Sequence, residues 1–305
     1  MKPKLVIILG PTGVGKSEVA IDVALRLEGE IVNADSQLVY RHMDIGTAKP
    51  SAAARNAVRH HLIDVVDPKG DFNAALYRES ALNAIREISA RGKRAIVCGG
   101  TGLYLRALIQ GLFVGPGKNP EVRKRLETEA QEKGSSVLYE KLRENDPDAT
   151  RWIHPNDRYR IIRALEVFEL TGKGISRWQK EHGFAESAFQ VLKIGLQRER
   201  QELYGLIDRR CDEMIERGLV EEVKSLVERG YSLELPALQS VGYKQIGLYL
   251  RGRLSLDEAI ALIKRDTRHL AKRQLTWFRA DKEIRWLHPE GERRKIVEAV
   301  KEFLG

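Results

Sequence analysis

Leu5-Val-Ile-Ile-Leu-Gly-Pro-Thr-Gly-Val-Gly-Lys-Ser17 decides how the chain is read. Five consecutive apolar residues, 5–9, show no alternation, as suits a strand buried on both faces. They run into Gly10, Pro11, Thr12, Gly13, Val14, Gly15, Lys16 and Ser17, a Gly-x-x-x-x-Gly-Lys-Ser match. Val19, Ala20, Val23, Ala24 and Leu27 then recur at helical spacing. Strand, glycine loop and helix are the context in which this motif binds phosphate. The loop curls its backbone N–H groups inward, and the helix N-terminus adds partial positive charge. Lys16 is placed to reach the outer phosphates, and the Ser17 hydroxyl to ligate a magnesium ion. The motif predicts a di- or triphosphate site.

Outward from this loop, Glu30-Ile-Val-Asn-Ala-Asp-Ser36 reads as a strand ending in a carboxylate. Ligands of open parallel sheets sit beyond the carboxyl ends of strands, so Asp35 is expected to face the phosphate loop. The competing reading makes Asp35 a helix or turn cap. Residues 40–50 have no clear period, and 60–68 read as another strand. His60 and His61 are adjacent, and neighbouring side chains of a strand point to opposite faces, so they are not read as a metal pair. Residues 72–91 are an amphipathic helix closed by Gly92. A strand at 94–98 then feeds a second glycine loop, Gly99-Gly-Thr-Gly-Leu103. No strand ends in a clear Walker B acid, although Asp64 and Asp67 are possible substitutes.

From Gly115-Pro-Gly-Lys-Asn-Pro120 the pattern turns wholly helical, with helices expected at 121–133, 136–144 and 156–171. A strand pattern resumes at 189–196. The parse is an α/β protein with a P-loop parallel sheet flanked by helices and an inserted all-helical domain. The core is assigned to 1–118 and 189–305, and the insertion to 119–188. Beyond it, helices are expected at 203–217, 220–228, 255–279 and 292–303, with a last strand at 284–287. Lys264, Arg268 and Lys272 lie on one helical face, with Trp277 and Phe278 nearby. That face suits a nucleic-acid backbone as well as plain solvation.

The chain of 305 residues has 52 Lys and Arg against 43 Asp and Glu, a net charge of +9 that favours a polyanionic partner. Its two cysteines, Cys98 and Cys211, are far apart and offer neither a disulfide framework nor a metal knuckle. The apolar run after Lys4 is too short for a signal peptide, and no stretch is long enough to span a bilayer. A cytoplasmic monomer without membrane contact is expected.

Several stretches together resemble the bacterial tRNA dimethylallyltransferases (tRNA isopentenyltransferases). They are the phosphate loop, Ala34-Asp-Ser36 with Val39-Tyr40, Met43-Asp-Ile-Gly-Thr-Ala-Lys-Pro50, and His60-His-Leu-Ile-Asp64. Gly99-Gly-Thr-Gly-Leu-Tyr-Leu105, Gly242-Tyr243 and Lys272-Arg-Gln-Leu-Thr-Trp-Phe-Arg279 complete the set. Leu38 stands where many members have Gln. The resemblance implies transfer of a dimethylallyl group from dimethylallyl diphosphate to N6 of the adenosine on the 3′ side of the anticodon, with Mg²⁺. Asp35 would be the base, Lys16 and Arg210 would meet the diphosphate, and Thr101 would place the adenine. The tRNA anticodon stem-loop would be met by Asp35, Ser36, Gln37, Leu38 and Thr101. Arg123, Arg158, Tyr159, Arg160 and Arg163 of the insertion would grip it, together with Lys244, Lys272, Arg273 and Arg279. Three other readings stay open: a small-molecule P-loop kinase, a non-catalytic RNA-binding protein, and an adenylate dimethylallyltransferase using free nucleotide.

Overall fold

β1 (Lys4–Leu9) sends its side chains alternately into two separate apolar clusters, which is why its sequence does not alternate. Val6 and Ile8 pack on one face and Leu5, Ile7 and Leu9 on the other, each at most 2% exposed. Full burial of such a side chain is worth roughly 1.5–3 kcal/mol, so a polar residue is costly anywhere in this run.

The computed structural model describes residues 2–113, 115–183 and 187–305. After β1 come α1 (Lys16–Arg26), β2 (Gly29–Asn33), α2 (Ala52–Ala57) and β3 (His60–His61). They are followed by α3 (Ala74–Ala90), β4 (Arg94–Gly99) and α4 (Gly102–Gln110). A purely helical stretch holds α5 (Pro120–Lys133), α6 (Ser135–Asn145), α7 (Arg158–Thr171) and α8 (Ile175–His182). The chain returns through β5 (Gln190–Leu196), α9 (Arg200–Glu216), α10 (Leu219–Glu228) and α11 (Tyr243–Leu250). It ends with α12 (Leu256–Arg279), β6 (Arg285–Leu287) and α13 (Arg293–Leu304).

The strands form one parallel sheet in the order β3-β2-β4-β1-β5-β6. From β1 the chain runs out to one flank of the sheet and reaches the other flank only with β5. This reversal opens a crevice beyond the carboxyl end of β1, where ligands of such sheets bind. Helices cover both faces: α1, α9 and α10 on the side of Val6, and α3 and α4 on the side of Leu5. The strand expected over 60–68 is limited to His60–His61. Leu62 and Asp64 adopt positive φ of 62° and 58°, which takes the backbone out of the extended region.

Residues 1–109 with 187–305 form one compact unit and 110–186 a second. Residues 184–186 of the expected helical block lie outside the described residues. The second unit has its own core, including Leu126, Leu138, Leu142, Ile161 and Leu165. Within that core Glu166 is fully buried. Its carboxylate accepts from the Asn119 backbone N–H at 2.7 Å, Arg123 at 2.8 and 2.9 Å, and Arg163 at 2.5 Å. Burial alone would raise its pKa, but the hydrogen bonds from the two arginines prevail and hold it below the usual carboxylate range. Arg163 also donates to the carbonyls of Pro116 and Gly117.

Candidate active site

The phosphate loop leaves β1 and turns into α1 at Gly15, whose φ of 99° lies in the left-handed region that favours glycine. Lys16 is half-buried and donates to the Pro11 carbonyl at 2.8 Å. Burial lowers the ammonium pKa from 10.5 to about 8; Arg210 adds to the fall, and Cys98 and Asp35 oppose it. Burial likewise pushes the Cys98 thiol up to about 11, so it is a neutral wall and not a nucleophile.

Two cavities of about 400 Å³ each open beside this loop. The first takes in Lys16, Ser17 and an apolar wall that includes Ile31, Leu38, Ala48 and Ile63. The second takes in Ser36, Gln37, Thr101 and Gln274. Thr12, Gly13, Asp35, Thr47, Arg210 and Met214 line both. A carboxylate and a guanidinium therefore stand on the wall shared by the chamber at the phosphate loop and the second chamber. Burial lowers the Arg210 pKa and Asp35 opposes that fall.

Asp35 caps a turn, as the competing reading allowed, and not a helix. Its Oδ1 accepts from the Gln37 backbone N–H at 2.9 Å in a local turn just after β2. Asn33 braces that turn, donating to the Asp35 carbonyl and accepting from the Asp35 N–H, each at 3.0 Å. Thr101 is tied to the same segment: its N–H donates to the Ala34 carbonyl at 3.1 Å, and its Oγ1 accepts from the Ser36 N–H at 3.0 Å. The Oε1 atom of Gln37 is buried and has no hydrogen-bond partner among the described residues.

The segment 43–50, which has no period in sequence, is ordered by two charged side chains. Glu222 of α10 accepts from the backbone N–H groups of Asp44, Ile45 and Gly46 and from the Tyr243 hydroxyl. Lys49, 8% exposed, donates to the Tyr40 carbonyl, Asp44 and Asp64. Asp64 also pairs with Arg55, and Asp67 accepts from the Tyr231 hydroxyl and the Lys69 N–H. Neither acid lines the cavities, so the Walker B substitutes are loop staples and the kinase reading loses its support.

A second correction concerns α12. Lys264 pairs with Asp212 and Arg268 with Asp208, so two of the three basic residues on that face are held by acids of α9. Lys272, Arg273 and Arg279 are exposed, as is Lys244 on α11. In the helical unit Tyr159 is 66% exposed, and the Arg123 guanidinium lies 5.6 Å from its ring. Arg160 pairs with Asp157, and Arg158 donates to the Glu127 carbonyl. Leu38, grouped by resemblance with RNA contacts, lines the first cavity and not the second. Glu222 and Gln274 were not singled out from the sequence, although Gln274 lies in the stretch 272–279 that carries the family resemblance, since their contacts are with residues far away along the chain.

Among the described residues no three His, Cys, Asp or Glu side chains cluster to hold a metal. The exposed Ser17 hydroxyl, at the start of α1, is the donor that the phosphate loop offers. A single hydroxyl fits magnesium, which keeps several waters and takes its remaining ligands from substrate phosphates. No described helix is long and apolar enough to cross a membrane.

A family described as IPP transferase matches residues 38–281. A protein of Geotalea uraniireducens named tRNA dimethylallyltransferase 2 is 53% identical over 290 residues, which is 95% of this chain and 94% of that one. The tRNA dimethylallyltransferase of Geobacter metallireducens is 51% identical over 302 residues, 99% of this chain and 98% of that one. The crystal structure of a Bacillus halodurans tRNA isopentenylpyrophosphate transferase superposes with a TM-score of 0.74 at 40% identity, over 99% of this chain and 97% of its own. A eukaryotic dimethylallyltransferase described as acting on tRNA gives 0.74 at 31% identity, covering 90% of this chain and 70% of its own. With the phosphate loop, the parallel sheet and the paired cavities in place, the chain belongs to the IPP transferase family.

Proposed function

We infer that this chain is a tRNA dimethylallyltransferase that moves a dimethylallyl group onto N6 of the adenosine on the 3′ side of the anticodon. The donor is dimethylallyl diphosphate, and the products are N6-dimethylallyladenosine and diphosphate. One observation carries the reading: Asp35 and Arg210 line the wall common to the chamber at the phosphate loop and the second chamber. An acid–base group between two substrates is what a transfer reaction needs. The apolar wall of the first chamber suits a five-carbon prenyl group.

In the reaction the bond between the allylic carbon and oxygen breaks, and the oxygen keeps the electron pair. The phosphate-loop amides, Lys16 and Arg210 meet the charge that develops there. Ser17 would hold magnesium, which would supply further positive charge to the diphosphate. The N6 lone pair is delocalised into the adenine ring, so the amine is a poor nucleophile. Asp35 orients it and takes its proton as the carbon–nitrogen bond forms. Thr101, Ser36 and Gln37 hold the base, which must leave its stack to enter the second chamber. The helical unit grips the anticodon stem-loop through Arg158, Tyr159 and Arg160, while Arg123 and Arg163 shape that surface through Glu166. Lys244, Lys272, Arg273 and Arg279 contact the RNA backbone.

Asp35→Asn tests the assignment, because it keeps shape and a hydrogen bond but cannot take the proton. Single-turnover transfer from dimethylallyl diphosphate to unmodified tRNA should fall about 10²- to 10⁴-fold. tRNA binding should hold, since phosphate contacts supply most of the affinity. Near-normal transfer by this variant removes Asp35 from the mechanism. Transfer by the wild type to AMP but not to tRNA would establish the free-nucleotide reading instead.

A further inference from the structure

One side chain bridges the two glycine loops. Gln274, on α12, accepts at Oε1 from the Thr12 N–H of the phosphate loop at 2.8 Å. Its Nε2 donates to the Gly100 carbonyl of the second glycine loop at 2.9 Å. The two loops follow neighbouring strands, with Leu9 of β1 in register with Gly99 of β4. Both bonds fit ordinary hydrogen-bond geometry, and an amide alone offers an acceptor and a donor at that spacing. A Cβ at Gly100 would lie 2.5 Å from Nε2, so the glycine there makes room for the amide. Beyond Gly100 the connection continues through Thr101 to Ala34 and Ser36, the residues on either side of Asp35. A short chain of hydrogen bonds thus runs from the loop that holds the leaving group to the segment that carries the base.

We propose that Gln274 is the positioning residue that sets the distance between the diphosphate and the acceptor amine. The proposal rests on the transfer reaction inferred above and goes beyond it. Gln274 touches neither reacting atom in that scheme. It fixes the phosphate loop against the Thr101 loop, so the allylic carbon and N6 meet at attack distance. A misplacement of about 1 Å between reacting groups can cost on the order of 10²-fold in rate. Each loop keeps its own substrate contacts without Gln274, so binding of either substrate alone is little affected.

The test uses the full chain with Gln274→Met, which keeps length and removes both bonds, and Gln274→Asn, which keeps the amide but shortens its reach. Both variants should melt close to the wild type. Their kcat for transfer to tRNA should fall about 10- to 100-fold, with each KM within about threefold. Wild-type kcat, or a loss expressed only in KM, overturns the proposal. A second readout does not need the reaction. In the wild type, inorganic diphosphate should slow amide hydrogen exchange at 99–101 as well as at 10–17. In Gln274→Met the protection should stop at 10–17. Equal protection of both loops in the variant, or none at 99–101 in the wild type, also overturns it. Failure of the wild type to modify tRNA would count against the transfer reading alone.

Discussion

Lys16 carries a pH dependence that follows from its burial. The ammonium, normally at 10.5, is brought down to about 8 in the free protein. Bound diphosphate favours the charged form, so above that pH binding must take up a proton. Affinity for inorganic diphosphate should therefore fall by up to about tenfold per pH unit above 8 and lose this dependence below it. Ligand-free stability runs the other way: the unfolded chain binds the extra proton between 8 and 10.5, so the cost of burying this lysine is relieved as pH rises through that window. Calorimetric titration of wild type and Lys16→Met across pH 6.5 to 9.5 isolates the lysine from the ligand's own ionisation. Identical slopes would refute the assignment, and the variant should also lose about 2–4 kcal/mol of transition-state stabilisation. Lys16, Ser17 and Asp35 were legible because each ends a strand or opens a helix, where local pattern indicates the side of the sheet. Arg210 and Thr101 were named only through family resemblance. Gln274 was invisible locally, because the residue it binds, Thr12, lies 262 positions away.

At the scale of elements, the strands of the sheet and the long periodic helices were read nearly to the residue, with β3 overextended, while short helices such as α4 and α11 were not. α12 was expected over 255–279 from its capping box and spans Leu256–Arg279, with Ser255 and Glu258 forming that box. α4 and α11 were missed because both open directly from glycines, and eight or nine residues give too little period to count. The basic stripe of α12 was ambiguous for a physical reason: a partner helix bearing Asp208 and Asp212 presents negative charge as a phosphate backbone does. The placement of α10 yields a further expectation. Glu222→Ala would leave three loop N–H groups and the Tyr243 hydroxyl without their acceptor. We expect a loss of about 1–3 kcal/mol in denaturant unfolding. A raised KM for the prenyl donor should accompany it, since Thr47 and Ala48 of that segment line the first chamber. Glu222→Gln, which keeps the acceptor oxygen, should recover most of both. An unchanged KM in the alanine variant would show that the wall does not depend on Glu222.

At the scale of the molecule, the sheet unit and the helical unit have separate cores. Replacing 110–186 by a short linker should leave a protein that melts cooperatively and binds inorganic diphosphate as before. Its affinity for an anticodon stem-loop, read by fluorescence anisotropy, should drop at least about tenfold, and unchanged affinity would move the RNA grip elsewhere. The sheet itself carries a consequence for biosynthesis. β1 lies between β4 and β5, with Lys4 in register with Gln190 and Leu9 with Gly195. The strand made first therefore waits, with one edge unpaired, while the whole helical unit is translated. An open edge of Leu-Val-Ile-Ile-Leu is the kind of surface on which incomplete chains stick to one another. The strand order that creates the crevice thus leaves that edge of the nascent protein open until residue 196 has left the ribosome.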